Sequence, residues 1–157
     1  WSAKSQGFEL SGRLQTGGIT VSANTTYQDY VNTSDSGLFA QNRGERLPQV
    51  PYFFANGALE YKLPDLLKQN DNLVFFWNTR YVHRFLIGWE GTGLQQTKAE
   101  VPSQTMHTTG LTYRIRANKI QSSFTLEAQN LTDAKVFDFF GVQRTGRAFF
   151  FITTVQF

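Results

Sequence analysis

Residues 118–157 read NKIQSSFTLEAQNLTDAKVFDFFGVQRTGRAFFFITTVQF, and their alternation decides the fold. Between Lys119 and Leu131, Ile120, Phe124, Leu126 and Ala128 share one parity, with Ser122 as its only polar member. Gln121, Ser123, Thr125, Glu127 and Gln129 take the other parity. Side chains of a strand alternate with period two, so this stretch predicts a strand with one apolar and one wet face. The chain ends on Arg147–Phe157, where Phe149, Phe151, Val155 and Phe157 lie opposite Thr154 and Gln156.

The same period runs back to the start of the chain. Lys4–Leu14 sets Phe8, Leu10 and Leu14 against Glu9, Ser11 and Arg13. Ile19–Tyr30 sets Ile19, Val21, Ala23 and Tyr27 against Thr20, Ser22, Asn24, Thr26 and Gln28. Tyr52–Tyr61 turns Phe53, Ala55, Leu59 and Tyr61 one way, Asn56 and Glu60 the other. In Asn72–His83, Leu73, Phe75, Trp77 and Tyr81 oppose Asn78 and Arg80. In Gln104–Ala117, Leu111, Tyr113, Ile115 and Ala117 oppose Thr112, Arg114 and Arg116. The expectation is an all-β, antiparallel up-and-down meander of seven strands.

Connections alternate in length. Gln15–Gly18, Lys62–Asp71 and Asn118–Lys119 are short; Val31–Pro51, Arg84–Ser103 and Thr132–Gly146 are long. Gly17-Gly18 supplies the positive φ of a tight hairpin, and Pro64-Asp65-Leu66-Leu67 reads as a helical turn capped at Asp65. A two-residue turn at Asn118-Lys119 sets Ala117 opposite Ile120. The register then places Ile115 opposite Ser122, Tyr113 opposite Phe124, Leu111 opposite Leu126 and Thr109 opposite Ala128. Glu9, Arg13, Asn56, Glu60, Asn78, Arg80, Arg114, Arg116 and Glu127 are all expected on one face.

Composition excludes several classes of protein. The 157 residues hold no cysteine, so disulfides, thiolate metal sites and cysteine nucleophiles are ruled out. The net charge of +3 is small and scattered, which argues against nucleic acid. Aromatics make up 15% of the chain, with 15 Phe, yet the mean hydropathy is negative. No run approaches the ~18 apolar residues of a membrane helix. A transmembrane barrel reconciles these facts, because half of each strand faces a polar lumen. The first residue is Trp1 and no signal peptide is visible; the expectation is a chain excised from a longer protein.

A terminal aromatic on the apolar face of the last strand is similar to the end of bacterial outer-membrane barrels. The phrase NLTDAKVFDFFGVQRTGRAFFF, Asn130–Phe151, resembles the C-terminal end of TonB-dependent outer-membrane receptors. Arg46-Leu47-Pro48-Gln49-Val50-Pro51 resembles a phrase that precedes a descending strand in the same family. The resemblance implies a non-enzymatic transporter of scarce nutrients, most often ferric siderophores, powered through TonB. It implies a bacterial outer-membrane location, no cofactor, and a C-terminus on the periplasmic side, with the long loops extracellular. Residues 1–157 would be the C-terminal third of a barrel of about 22 strands with a plugged lumen. The plug and the peptide that binds TonB would lie outside this chain. Partners implied are outer-membrane lipid, lipopolysaccharide, and the barrel-assembly machinery acting through the strand that ends in Phe157. Seven strands leave two edges, so closure by this segment alone is not expected. Two alternatives stay open: a complete small outer-membrane barrel (adhesin or barrel enzyme), and a soluble lipid-binding β-barrel with inward aromatics.

Site candidates follow from the loops. Arg43, Arg46, Arg84, Trp89, Phe139, Phe140, Gln143 and Arg144 combine cationic and aromatic groups, a chemistry suited to acidic or aromatic iron chelates. Tyr27, Phe53, Tyr81 and Phe149 are expected in an outer membrane-interface girdle, and Tyr61, Tyr113 and Phe157 in an inner one. His83 and His107 lie near one rim, but no HExxH-type spacing supports a metal site, and no GxSxG supports a nucleophile. Gly88-Trp89-Glu90-Gly91-Thr92-Gly93 opens no helix, so it reads as a loop rather than a phosphate cradle. Asn24, Asn32 and Asn130 each begin an N-x-S/T sequon.

Overall fold

In a computed structural model, which describes residues 1–91, 99–117 and 119–157, antiparallel strands follow one another in a meander. They are β1 (Ala3–Thr16), β2 (Ile19–Asn32), β3 (Phe53–Pro64), β4 (Asp71–Val82), β5 (Phe85–Leu86), β6 (Glu100–Val101), β7 (Gln104–Ala117), β8 (Ile120–Gln129) and β9 (Ala148–Gln156). Seven of them form one sheet in the order β1-β2-β3-β4-β7-β8-β9, while β5 and β6 pair separately. β1 and β9 are therefore the sheet edges, and no ladder among the described residues joins them.

The β7–β8 register agrees with the sequence reading at every position. Ala117 pairs with Ile120, Tyr113 with Phe124, Leu111 with Leu126 and Thr109 with Ala128. Asn118, half of the turn expected there, lies outside the described residues. At the β1–β2 turn, Thr16 pairs with Ile19, and Gly17 and Gly18 take φ of 52° and 84°. Two consecutive positive φ values make the turn twist with the strands rather than splay them.

Pairing carries each face across the sheet. On one side Gln15, Thr20, Glu60, Phe76, Gly110, Glu127 and Phe150 form a continuous row. The other charged residues expected to share that side do so, from Glu9 and Arg13 on β1 to Arg114 and Arg116 on β7. A hollow of about 500 Å³ on this polar face touches Arg13 of β1, Asn78 of β4, Glu127 of β8 and Ile152 of β9. The sheet thus curls with its polar face concave. The other face is convex, and its large side chains stand free: Phe8 is 61% exposed, Leu126 61% and Phe151 66%. A soluble barrel with inward aromatics needs the opposite curl.

Two local readings are corrected. The connection after β3 is not a helical turn capped at Asp65. β3 runs through Pro64, and Asp71, the first residue of β4, ties the turn together. Its carboxylate accepts the backbone N–H groups of Leu66, Leu67 and Lys68 at 2.7, 3.0 and 2.9 Å, and the Tyr113 hydroxyl at 2.6 Å. Asp65 instead accepts the Asn70 N–H at 2.8 Å. The β5–β6 ladder is the second difference. Two residues on each side are too few to show a period, so the alternation does not announce it.

Candidate functional site

Three long connections, 33–52, 83–103 and 130–147, leave the same rim of the sheet. They are built by side chains that replace the missing ladder. Asn32, fully buried at the end of β2, donates to the Phe39 carbonyl at 2.7 Å and accepts the Ser34 N–H at 3.0 Å. Asn130 does the same service at the end of β8. Its amide donates to the Ala134 carbonyl at 2.9 Å and accepts the Ala134 N–H at 3.0 Å. Its φ of 48° is a conformation that Asn tolerates better than most residues. Asp138 then accepts the N–H groups of Phe140 and Val142, both at 2.9 Å, and Phe137 bridges Gln143. Residues 136–144 thereby form a small hairpin with Phe139 and Phe140 exposed at its tip.

The loops are fastened to one another and to the wall. Gln104, nearly buried at the start of β7, donates to the Phe137 carbonyl at 2.9 Å and accepts the Phe137 N–H at 2.6 Å. The Gln49 N–H reaches the Leu86 carbonyl at 2.7 Å, and the Gly91 N–H reaches Glu45 at 2.8 Å. Val82, Phe85 and Val101 form a buried cluster under these loops, with Phe54, Ile87 and Phe137 packed against it. The chain's main apolar core therefore sits at this rim and not within the wall. Burying a Val or Phe side chain of this kind stabilises by ~1.5–3 kcal/mol per side chain removed from water.

A cavity of about 330 Å³ opens between the second and third loops, above the concave face. Phe139, Phe140 and Arg144, expected as site residues, line it. Arg80 and Met106 of the wall, and Phe85, Phe137 and Asp138 of the loops, line it too, although the loop pattern did not mark them. Arg80 was legible as a concave-face residue; only its height near the rim brings it here.

The remaining expected site residues lie elsewhere. Gln143 is engaged with Phe137 in the hairpin. Arg46 and Arg84 line a smaller hollow of about 200 Å³ between the first and second loops. Arg46 is held on the convex side: its Nε donates to Asp29 at 2.6 Å, Nη2 donates to the Tyr27 hydroxyl at 3.3 Å, and its guanidinium lies 4.5 Å from the Tyr52 ring centre. The hydrogen bond to Asp29 raises its pKa above the ordinary arginine value, against the opposing effect of burial. Arg84 pairs with Glu100 at 3.7 Å, and Arg43 pairs with Asp35 in the open. Trp89 packs on Phe39, ring centres 5.8 Å apart, locking the first loop to the second. Thr92 and Gly93 of the glycine-rich phrase lie outside the described residues.

The convex face carries a chain of rings near the loop rim. Phe8 stacks on Tyr27 at 5.7 Å, Tyr27 meets Tyr52 at 6.2 Å, and Tyr52 meets His83 at 4.9 Å. Phe53 and Tyr81 lie 6.0 Å apart. Phe149 is the second residue of β9 at the same rim, while Tyr61, Tyr113 and Phe157 stand toward the opposite one. Both histidines belong to this surface: His83 Nδ1 lies 2.8 Å from the Tyr81 hydroxyl, and His107 Nδ1 lies 2.9 Å from the Thr79 hydroxyl. Among the described residues no group of three metal-ligating side chains occurs.

A family model described as TonB dependent receptor-like, beta-barrel matches residues 2–131. No curated protein matches the chain.

Proposed function

The chain belongs to the TonB-dependent receptor β-barrel family, whose members are outer-membrane receptors and transporters and not enzymes, and from that premise we propose that it supplies the C-terminal strands of a barrel importing a ferric siderophore. The convex face meets lipid and the concave face lines the lumen. The loop rim is extracellular and the C-terminus periplasmic. In this reading residues 1–157 are one segment of a larger barrel, completed by further strands at the β1 and β9 edges. TonB engages a part of the receptor outside this segment. Lipopolysaccharide contacts the convex rings, and the strand ending in Phe157 addresses the barrel-assembly machinery.

One observation carries the ligand assignment: two arginines, Arg80 and Arg144, converge with four phenylalanines on the cavity between the second and third loops. Guanidinium groups bind planar anionic oxygens in pairs, and aromatic faces accommodate a catecholate or aryl scaffold. A charge-assisted hydrogen bond contributes ~1.5–3 kcal/mol, so losing one arginine weakens binding about tenfold or more. The test uses the full-length receptor in outer-membrane vesicles and radiolabelled ferric siderophores, with heme and cobalamin as controls. Arg80→Gln and Arg144→Gln are each expected to raise Kd for an acidic ferric chelate at least tenfold. Unchanged binding in both variants, or binding of cobalamin alone, overturns the siderophore assignment.

A further inference from the structure

The three short connections at the rim opposite the loops are not alike. Gly17-Gly18 and Asn118-Lys119 hold no apolar side chain, whereas the turn after β3 holds Leu66 and Leu67. Leu67 is 75% exposed and Leu66 47%. Polar bonds hold that turn in shape. The Asp71 carboxylate accepts the N–H groups of Leu66, Leu67 and Lys68, the Asp71 carbonyl accepts the Asp65 N–H, and Asp65 accepts the Asn70 N–H. Asp65 and Asn70 both hold positive φ, 50° and 67°. The backbone of the crest is tied down while both leucine side chains stand free.

The same bonds decide which way the crest leans. Asp71 pairs with Ile115 on the convex face, and Tyr113 of that face donates its hydroxyl to the same carboxylate. Three successive N–H groups of the crest reach this one carboxylate, so the crest folds toward the convex side. The hollow on the concave side agrees: Pro64, Asp65, Asn70 and Asp71 line it, and neither leucine does. On the convex face beside the turn, Leu63 pairs with Leu73 and Tyr61 with Phe75. The two leucines therefore continue the apolar convex surface past the last row of the wall.

That continuity names the occupant. Lipid covers the convex face, and an apolar pair joined to its edge meets the same solvent. A loop already rigid in its bound shape loses little freedom on binding, which is what the Asp71 bonds provide. We propose that the turn of residues 65–70 is a membrane anchor in the inner leaflet, with Leu66 and Leu67 lying among phospholipid acyl chains. Lys68, also exposed, follows them; its stem stays with the acyl chains while its ammonium meets the phosphates. Asp71, 2% exposed, positions the pair without meeting lipid itself. The inference rests on the barrel-receptor reading above and adds to it a lipid contact made by a turn rather than by a strand.

The test uses the full-length receptor in vesicles of phosphatidylethanolamine and phosphatidylglycerol. Residues 1–157 contain no cysteine, so single cysteines labelled with bimane report one site each once any outside this segment are replaced. Leu67→Cys is expected to be quenched at least threefold more by a nitroxide high on the lipid acyl chain than Lys119→Cys at the β7–β8 turn. Quenching by iodide in the water is expected to run the other way by at least threefold. Adding Asp71→Ala to Leu67→Cys is expected to lower the lipid quenching at least twofold; should that variant not assemble, Asp71→Asn is expected to act in the same direction. Unchanged quenching in the Asp71 variant removes its positioning role. Lipid quenching at Leu67 no stronger than at Lys119 overturns the anchor, and so does protection from both quenchers, which would mean that protein covers the leucines. Leu126→Cys, on the convex face within β8, separates the two ideas. If it too escapes lipid quenching, the barrel reading fails; if it is quenched and Leu67 is not, only the anchor fails.

Discussion

The wall of the sheet and its loop rim are made by different physics. In the wall, β7 and β8 pair from Ala117–Ile120 to Thr109–Ala128 without a break, and one rule of alternation sets every side chain. At the rim no period exists. Asn32, Gln104 and Asn130 each spend an amide on the backbone of a loop, and the apolar cluster around Phe85 and Val101 fills the space between loops. The wall is therefore tolerant within a face and intolerant across faces. The rim depends on single residues whose replacement removes a loop's anchor.

The largest effect expected tests the two faces with adjacent residues. Leu126 stands on the convex side opposite Leu111, and Thr125 on the concave side opposite Thr112. An arginine facing lipid at mid-membrane costs ~2–4 kcal/mol, while one facing the lumen costs little. In the full-length receptor, Leu126→Arg is expected to abolish most heat-modifiable, membrane-inserted protein. Thr125→Arg should leave it within about 1 kcal/mol of wild type, since it loses only the 2.9 Å hydroxyl contact with Thr112. Equal assembly of the two variants breaks the assignment of faces.

The second effect moves to the rim. Asn130→Ala removes both bonds to Ala134 and places alanine at a φ of 48°. Leaving buried backbone groups unpaired costs ~1–3 kcal/mol each, so the third loop should lose its fold while the wall persists. Limited proteolysis is expected to cut within 130–147 at least tenfold faster, with unchanged gel mobility of the barrel. Loss of the barrel itself would show that Asn130 supports the wall as well.

These contrasts explain what the sequence disclosed. Faces, strand order and the register of β7–β8 were legible because each repeats a signal over many residues, and a slip of one flips them all. Arg80 was visible as a concave-face residue but not as a cavity residue, because its role depends on a hairpin more than fifty residues away. The β5–β6 ladder and the Gln104–Phe137 clasp leave no period at all. The Asn130 phrase was recognisable by resemblance, yet its cause, an amide closing on Ala134 at a positive φ, appears only in the fold. Arg46 shows the converse: its cationic character suggested ligand contact, and the fold ties it to Asp29 and two tyrosines on the convex side.

A third, smaller effect sharpens the clasp between rim and wall. Gln104 both donates to and accepts from Phe137, so its amide cannot be replaced by a group that does only one. Gln104→Glu keeps the acceptor and turns a donor into a repelled oxygen, and Gln104→Ala removes both at ~1–2 kcal/mol. On the proposed function, siderophore affinity is expected to fall severalfold in both variants, because Phe137 lines the cavity between the second and third loops that the proposal assigns to the ligand. Affinity equal to wild type in Gln104→Ala would show that the third loop keeps its place without the clasp.

The smallest effect returns to the turn rim, where the backbone alone decides. Gly17 and Gly18 both have positive φ, 52° and 84°, but their surroundings differ. A Cβ on Gly17 meets nothing within 4 Å, whereas one on Gly18 comes within 2.7 Å of the Lys62 carbonyl oxygen. Lys62 also donates its N–H to the Gly18 carbonyl at 2.8 Å, so any shift there disturbs the join between this turn and β3. An L-residue in the left-handed region costs ~1–2 kcal/mol, less for Asn, which suits the first position of such a turn. Gly17→Asn is therefore expected to be nearly neutral in urea unfolding of the lipid-reconstituted receptor, and Gly17→Ala to cost about 1 kcal/mol. Gly18→Ala should cost about twice as much, because backbone strain and the carbonyl clash add at one position. Indistinguishable costs for the two alanine variants would mean that β3 yields freely at Lys62, and that this rim is set by the turn alone.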